Sequence, residues 1–109
     1  MVTWYDTGPL DPDDEGFVDI ERIYCLDWSA FDKPHWERLE AIVAMLPEPR
    51  CDARGWAWYS AEEVIKNGYL HASVELPGLQ VYGTLKLETW LEWDRAFQVL
   101  VDGLPMREL

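Results

Sequence analysis

Between Leu70 and Leu87 apolar residues or glycine occupy every second position, and the alternation changes phase only at Pro77-Gly78. Leu70, Ala72, Val74 and Leu76 alternate with Tyr69, His71, Ser73 and Glu75. Leu79, Val81, Gly83, Leu85 and Leu87 then alternate with Gln80, Tyr82, Thr84, Lys86 and Glu88. Period-two patterning on both sides of a turn dipeptide predicts a β-hairpin with one apolar face, and that face needs a cover. Folded tightly about Pro77-Gly78, the hairpin sets Leu76 opposite Leu79, Val74 opposite Val81 and Leu70 opposite Leu85. Pro-Gly favours a type II turn, which matches strand twist poorly, so a wider loop is a further option. The other face, with Tyr69, His71, Ser73, Tyr82, Thr84 and Lys86, is left to water.

The cover is supplied by helical patterns elsewhere. Asp32 is placed to cap a helix over residues 33–46, with Pro34 in its first turn and Trp36, Leu39, Ile42, Val43 and Leu46 on one stripe. Pro47 and Pro49 end it, and a loop through Arg54-Gly55 follows. Ser60-Ala61-Glu62-Glu63 has the form of a capping box and Gly68 that of a helix stop, predicting a two-turn helix over 60–67. Thr89 to Glu92 repeats the capping pattern. Residues 89–93 also continue the alternation, but Trp90, Trp93, Phe97, Leu100 and Val101 favour a helix to about Val101. Phe17 to Leu26 reads as a strand whose apolar face is interrupted by Arg22, and Trp56 to Tyr59 as a short one. The order β-α-(β)-α-β-β-α predicts an α+β domain: a mainly antiparallel sheet with two to three helices on one face. Leu70, Val74, Leu76, Val81 and Leu85 should share its core with Trp36, Leu39, Val43 and Leu46. Residues 1–16 form an acidic loop or extension, and 17–109 the single domain.

The chain has 109 residues, enough for one such core, and carries 21 acidic against 9 basic side chains, a net charge of −12. Residues 1–32 hold nine of the acids and only Arg22 as a base. That balance argues against binding nucleic acid or anionic lipid, both of which require clustered Lys and Arg. No secretory signal and no membrane-length apolar run is seen, so a cytoplasmic location is expected. Cys25 and Cys51 form no CxxC pair.

Candidate chemistry is sparse. Asp11-x-Asp13-x-Glu15-Gly16 echoes the first half of an EF-hand calcium loop, but the position of the bidentate Glu is Arg22, so Asp11, Asp13 and Glu15 are a weak metal site beside the reading of a solvated loop. Cys25, Cys51, His35 and His71 are too few to mark a nucleophilic centre, and no P-loop, HExxH, GxGxxG or GxSxG occurs. No cofactor is expected. Seven Trp are the remaining signal. Trp36, Trp90 and Trp93 fit core stripes, whereas Trp4, Trp28, Trp56 and Trp58, with Tyr69 and Tyr82, are candidates for a partner-binding surface together with Asp11, Asp13, Asp14 and Glu15. Acidic steering with aromatic anchors suits a basic protein, such as a toxin or a nucleic-acid-processing enzyme. In size, charge and lack of catalytic motifs the chain resembles the small acidic immunity proteins and antitoxins that neutralise bacterial toxins. That resemblance implies a non-enzymatic inhibitor. The alternatives are an adaptor or homodimeric subunit of a larger complex, and a small enzyme with a hidden Cys/His site.

Overall fold

The structure is a computed structural model that describes residues 1–52, 55–59 and 68–108, with residues 51 and 52 described by their backbone alone. Six strands, β1 (Trp4–Asp6), β2 (Phe17–Tyr24), β3 (Pro49–Asp52), β4 (Gly55–Trp58), β5 (Tyr69–Glu75) and β6 (Gly78–Lys86), form one sheet in the order β1-β2-β6-β5-β4-β3. Every pairing is antiparallel. Among the described residues two α-helices, α1 (Lys33–Met45) and α2 (Leu87–Val101), join the sheet in an α+β domain. No helix among the described residues is long and apolar enough to cross a membrane. The helix expected over 60–67 lies outside the described residues.

Both helices cover the same sheet face. Leu39, Ile42 and Val43 of α1 and Trp90, Trp93, Phe97 and Val101 of α2 are buried in one cluster with Val18, Ile20, Tyr24, Trp58, Leu70, Leu79, Val81 and Leu85. Trp93 is at its centre, stacked on Phe97 at 4.9 Å and meeting the edge of Trp58 at 4.9 Å. The predicted start of α1 is observed, with the Asp32 backbone N–H donating to His35 Nδ1 at 3.1 Å. α2 begins two residues before the expected cap, its first residue being Leu87.

The hairpin register differs from the expected one by two residues. Val74 pairs with Leu79, Ala72 with Val81 and Leu70 with Gly83, so Leu76 and Pro77 form the loop. A two-residue shift keeps each side chain on its face, which is why the apolar alternation was equally consistent with both registers. The turn chemistry separates them. Gly78 has φ +150°, and a Cβ there would lie 2.2 Å from the Tyr24 carbonyl oxygen, so this glycine is needed where the turn meets the end of β2. The shift carries Leu76 out of the expected core, where it is 94% exposed, and leaves Val74 half in water. Leu85 instead pairs with Val18 across β2 and is fully buried. Trp36 is only partly buried against the core.

Two strands were not anticipated. β1 arises in the stretch read as an acidic extension and pairs Trp4 with Tyr24 and Asp6 with Arg22. β3 arises in the stretch read as a loop after Pro47. Each is a short edge strand, of three and four residues.

Truncating a buried side chain forfeits its burial and leaves a cavity, so Leu39→Ala and Leu85→Ala should each cost about 2–5 kcal/mol, whereas Leu76→Ala should change stability by less than about 0.5 kcal/mol. Urea denaturation of the three variants measures this directly, and a large loss in Leu76→Ala would argue for the other register.

Candidate partner-binding surface

The sheet face turned away from α1 and α2 is built by the same alternation that makes the core. β2 pairs with β6 so that Asp19 sits beside Thr84 and Glu21 beside Tyr82, and β6 pairs with β5 so that Thr84 meets Tyr69 and Tyr82 meets His71. The rows Asp19-Thr84-Tyr69 and Glu21-Tyr82-His71 therefore run side by side across three strands. Thr84 Oγ1 donates to Asp19 at 2.8 Å, and Thr7 Oγ1 to Glu21 Oε2 at 3.3 Å, which fixes the two exposed carboxylates. The imidazole of buried His71 stacks on Tyr82 and lies beside Tyr69, each at 5.5 Å. Both tyrosines remain half-buried, so a hydrated carboxylate row borders a row of rings held in place.

The acidic loop lies at one end of this face. Lys86 Nζ donates to the Glu15 carbonyl oxygen and sits 4.7 Å from the centre of the Phe17 ring. Asp13 turns its carboxylate inward on the loop, accepting from the backbone N–H groups of Glu15 and Phe17, both at 2.9 Å. That local capping is the ordinary use of Asp in a turn. Asp11 and Asp14 are exposed. The residue at the twelfth position of the calcium pattern, Arg22, points into the protein instead. Among the described residues, no group of three or more His, Cys, Asp or Glu is placed to hold a metal ion.

Arg22 occupies the core side of the sheet, which resolves its exceptional place in the strand pattern. Its guanidinium lies 3.6 Å from the centre of the Trp4 ring and 4.9 Å from that of Trp90. Asp6 accepts from Nε at 2.7 Å and from Nη2 at 3.1 Å. Nη1 is 2.9 Å from Asp94 but badly directed for a hydrogen bond, so this contact is an ion pair. Burial alone would lower the affinity of Arg22 for its proton; the Asp6 hydrogen bond and the neighbouring Tyr24, Asp94 and Asp6 outweigh it and raise the pKa. The Tyr24 hydroxyl donates to Asp94 at 2.6 Å, and burial followed by that carboxylate holds the phenol well above its ordinary 10.0, against the opposing pull of Arg22. Trp4, expected on the partner surface, thus spends one ring face on Arg22 and is 37% exposed.

The remaining aromatic candidates are dispersed. Trp28 lies in a short 3-10 turn (Trp28–Ala30), stacks on Trp36 at 5.0 Å and donates from Nε1 to the Glu75 carbonyl at 2.7 Å. It is half-buried at the β5–β6 turn, whereas the acidic loop precedes the other end of β2. The eight residues of that strand span about 25 Å, so the loop and Trp28 do not form one patch. Trp56 walls a cleft of about 430 Å³ with Val43 and Pro49. Trp58 is a correction to the expected surface: it is fully buried, its Nε1 donating to the Val43 carbonyl at 3.1 Å. Trp56 and Trp58 are two residues apart in one strand and so share its core side, the outer one at the rim and the inner one beneath α1.

Of the nucleophile candidates, Cys25 is buried, and burial raises its thiol pKa against the lesser pull of Arg107, the opposite of what a reactive thiolate requires. The Cys51 side chain lies outside the described residues. Asp19 and Glu21 were not among the expected contact residues. Their signal was present in the alternation of β2, but only the pairings of β2 with β6 and of β6 with β5 set Glu21 beside Tyr82 and Asp19 in line with Tyr69 across Thr84. Compared with known proteins, the chain matches no family model, no curated protein and no solved structure.

Because Asp13 already serves its own loop, millimolar calcium should leave the thermal midpoint nearly unchanged; a site held at about 100 times its Kd would add about 2.7 kcal/mol. A calcium-specific rise lost in Asp11→Asn/Asp13→Asn would contradict this. A second expectation concerns alkaline pH. The raised pKa of Tyr24 makes its contribution to stability full below pH 10.0 and progressively lost as the pH climbs from there towards the folded value. Tyr59, pushed up to about 12 by burial and then by Glu48 and Glu92, adds to the same slope. Denaturation midpoints measured across this range should fall less steeply in Tyr24→Phe than in the wild type.

Proposed function

We propose that this chain is a non-enzymatic, acidic protein-binding domain that captures and neutralises a basic partner, in the manner of immunity proteins and antitoxins. The observation that carries the reading is the pair of rows Asp19-Thr84-Tyr69 and Glu21-Tyr82-His71, which join carboxylates to immobilised rings on a sheet face next to the acidic loop. Such a surface divides the work of binding. The carboxylates, in a chain of net charge −12, attract a cationic face over a Debye length of about 10 Å at 0.1 M salt. The tyrosines then supply contact area at little cost in conformational entropy. A nucleic-acid-processing enzyme offers the complementary surface, since its phosphate-binding cleft is a basic groove.

The test is binding kinetics with the partner recovered by affinity capture, followed by surface plasmon resonance over a salt series. Association should slow steeply as salt rises. Asp19→Asn/Glu21→Gln should mainly slow association, and Tyr82→Ala should mainly speed dissociation. Association that is independent of salt, with a neutral or acidic partner, would overturn the reading in favour of an adaptor or homodimeric subunit.

A further inference from the structure

The outer face of β2 and β6 sets unmatched negative charge beside an aromatic wall, and that arrangement selects among cations. Asp19 and Glu21 are exposed, and among the described residues no ion pair reaches either of them. The side chains that bond to them are the hydroxyls of Thr84 and Thr7, which leave the charge in place. Lys86, the nearest base on β6, is engaged with the Glu15 carbonyl oxygen. These two carboxylates thus differ from Asp6, Asp94 and Asp102, which are matched by Arg22 and by the Met1 ammonium.

Tyr82 supplies the wall. His71 stacks on one face of its ring, with the planes 25° apart. Because β6 lies between β5 and β2, the second face turns towards β2 and Glu21. The Glu21 carboxylate leans the other way, to the loop that follows β1. Its Oε2 accepts from Thr7, and a Cβ on Gly8 would lie 3.1 Å from the same oxygen, a tight approach that the glycine permits. Ring face and carboxylate therefore border one stretch of surface from opposite sides.

A guanidinium matches that pair better than an ammonium does. It is planar, so it can lie against a ring while its fork of N–H donors reaches a carboxylate, whereas a lysine ammonium is a compact, strongly hydrated point charge. The chain itself shows the difference on its core side. Arg22 lies 3.6 Å from the centre of the Trp4 ring and gives two hydrogen bonds to Asp6, its cross-strand neighbour. Lys86, over the Phe17 ring, meets only a carbonyl. Arginines that hold phosphate in a basic cleft do so through the same fork, and a carboxylate satisfies it equally.

We propose that the partner is recognised through arginine rather than lysine, with a guanidinium seated between the free face of Tyr82 and the carboxylate of Glu21. This inference rests on the function proposed above and adds to it the chemistry of the residue that is captured.

Two synthetic peptides of equal charge serve as probes, one alternating arginine with glycine and the other lysine with glycine. Each is titrated into the labelled full chain at about 0.1 M salt, where exposed charge is screened beyond about 10 Å. The arginine peptide should shift the amide resonances of Glu21, Tyr82 and Thr84 and bind about tenfold more tightly than the lysine peptide, the advantage of a partly desolvated cation–π contact. Tyr82→Leu should abolish that preference, whereas Tyr82→Phe, which retains the ring, should preserve it. Circular dichroism verifies that both variants remain folded. Glu21→Gln should weaken the binding of both peptides. Equal binding of the two peptides by the wild type, or a preference that survives Tyr82→Leu, would overturn the arginine assignment while leaving the acidic binding face in place. Failure of both peptides to bind, or shifts confined to the helical side of the molecule, would overturn that face and the assignment together.

Discussion

Removing a guanidinium from water costs several kcal/mol unless charge and hydrogen bonds replace the lost hydration, and much of the N-terminal half of this domain is arranged around that requirement at Arg22. The replacement comes from three elements. β1 brings Asp6 and the ring of Trp4, α2 brings Asp94 and Trp90, and β2 brings Tyr24, whose hydroxyl shares Asp94. Gln98, one turn beyond Asp94, donates to the same carboxylate and so fixes it on the helix. A three-residue edge strand would be marginal by its backbone hydrogen bonds alone. Here it also completes a buried ion pair, and that gives β1 its place in the sheet.

This use of Arg22 orders the surface as well as the interior. With the only base of residues 1–32 turned inward and matched by Asp6 and Asp94, the outer face of β2 presents Asp19 and Glu21 with no compensating cation in that strand. Lys86, the nearest base on β6, is drawn to the Glu15 carbonyl at the end of the sheet. The strongly acidic composition thereby becomes a directional field rather than a diffuse one. Tyr82 is held within it by stacking on His71 and Tyr69 by tilted packing beside the same ring, so the charged and aromatic parts of the proposed contact share one support.

What could be read from the sequence follows from which physical signals are local. The β2 alternation, the α1 stripe and the amphipathic pattern of α2 each depend on side chains a few positions apart, and all three elements appear. Arg22 was visible as a break in the apolar face of β2, but its meaning required Asp6 and Asp94, sixteen and seventy-two residues away. β1 and β3 are three and four residues long and lie beside Gly or Pro, so neither has enough alternation to stand out. The hairpin register was ambiguous because apolar faces alone tolerate any even shift. The contact formed by Gly78 with Tyr24 is long-range and cannot be seen from the hairpin. For the tryptophans, spacing correctly put Trp90 and Trp93 inside; it did not distinguish Trp56 from Trp58, because the difference between them is distance from the sheet rim.

The pairing of β2 with β6 has a consequence for the order in which the domain can be assembled. Phe17 bonds across to Lys86 and Tyr24 to Leu79, so the central partner of β2 does not exist on a growing chain until the segment 78–86 has been made. Hairpin β5–β6 closes locally and quickly, whereas β2 must find it across the whole of α1, β3 and β4, a search whose entropy cost must be met before any native contact offsets it. Throughout that interval the Arg22 guanidinium stays in water, since Asp94 and Trp90 are translated later still. The N-terminal strands therefore do not complete their sheet on their own; the inner edge of β2 waits for the chain to supply β6.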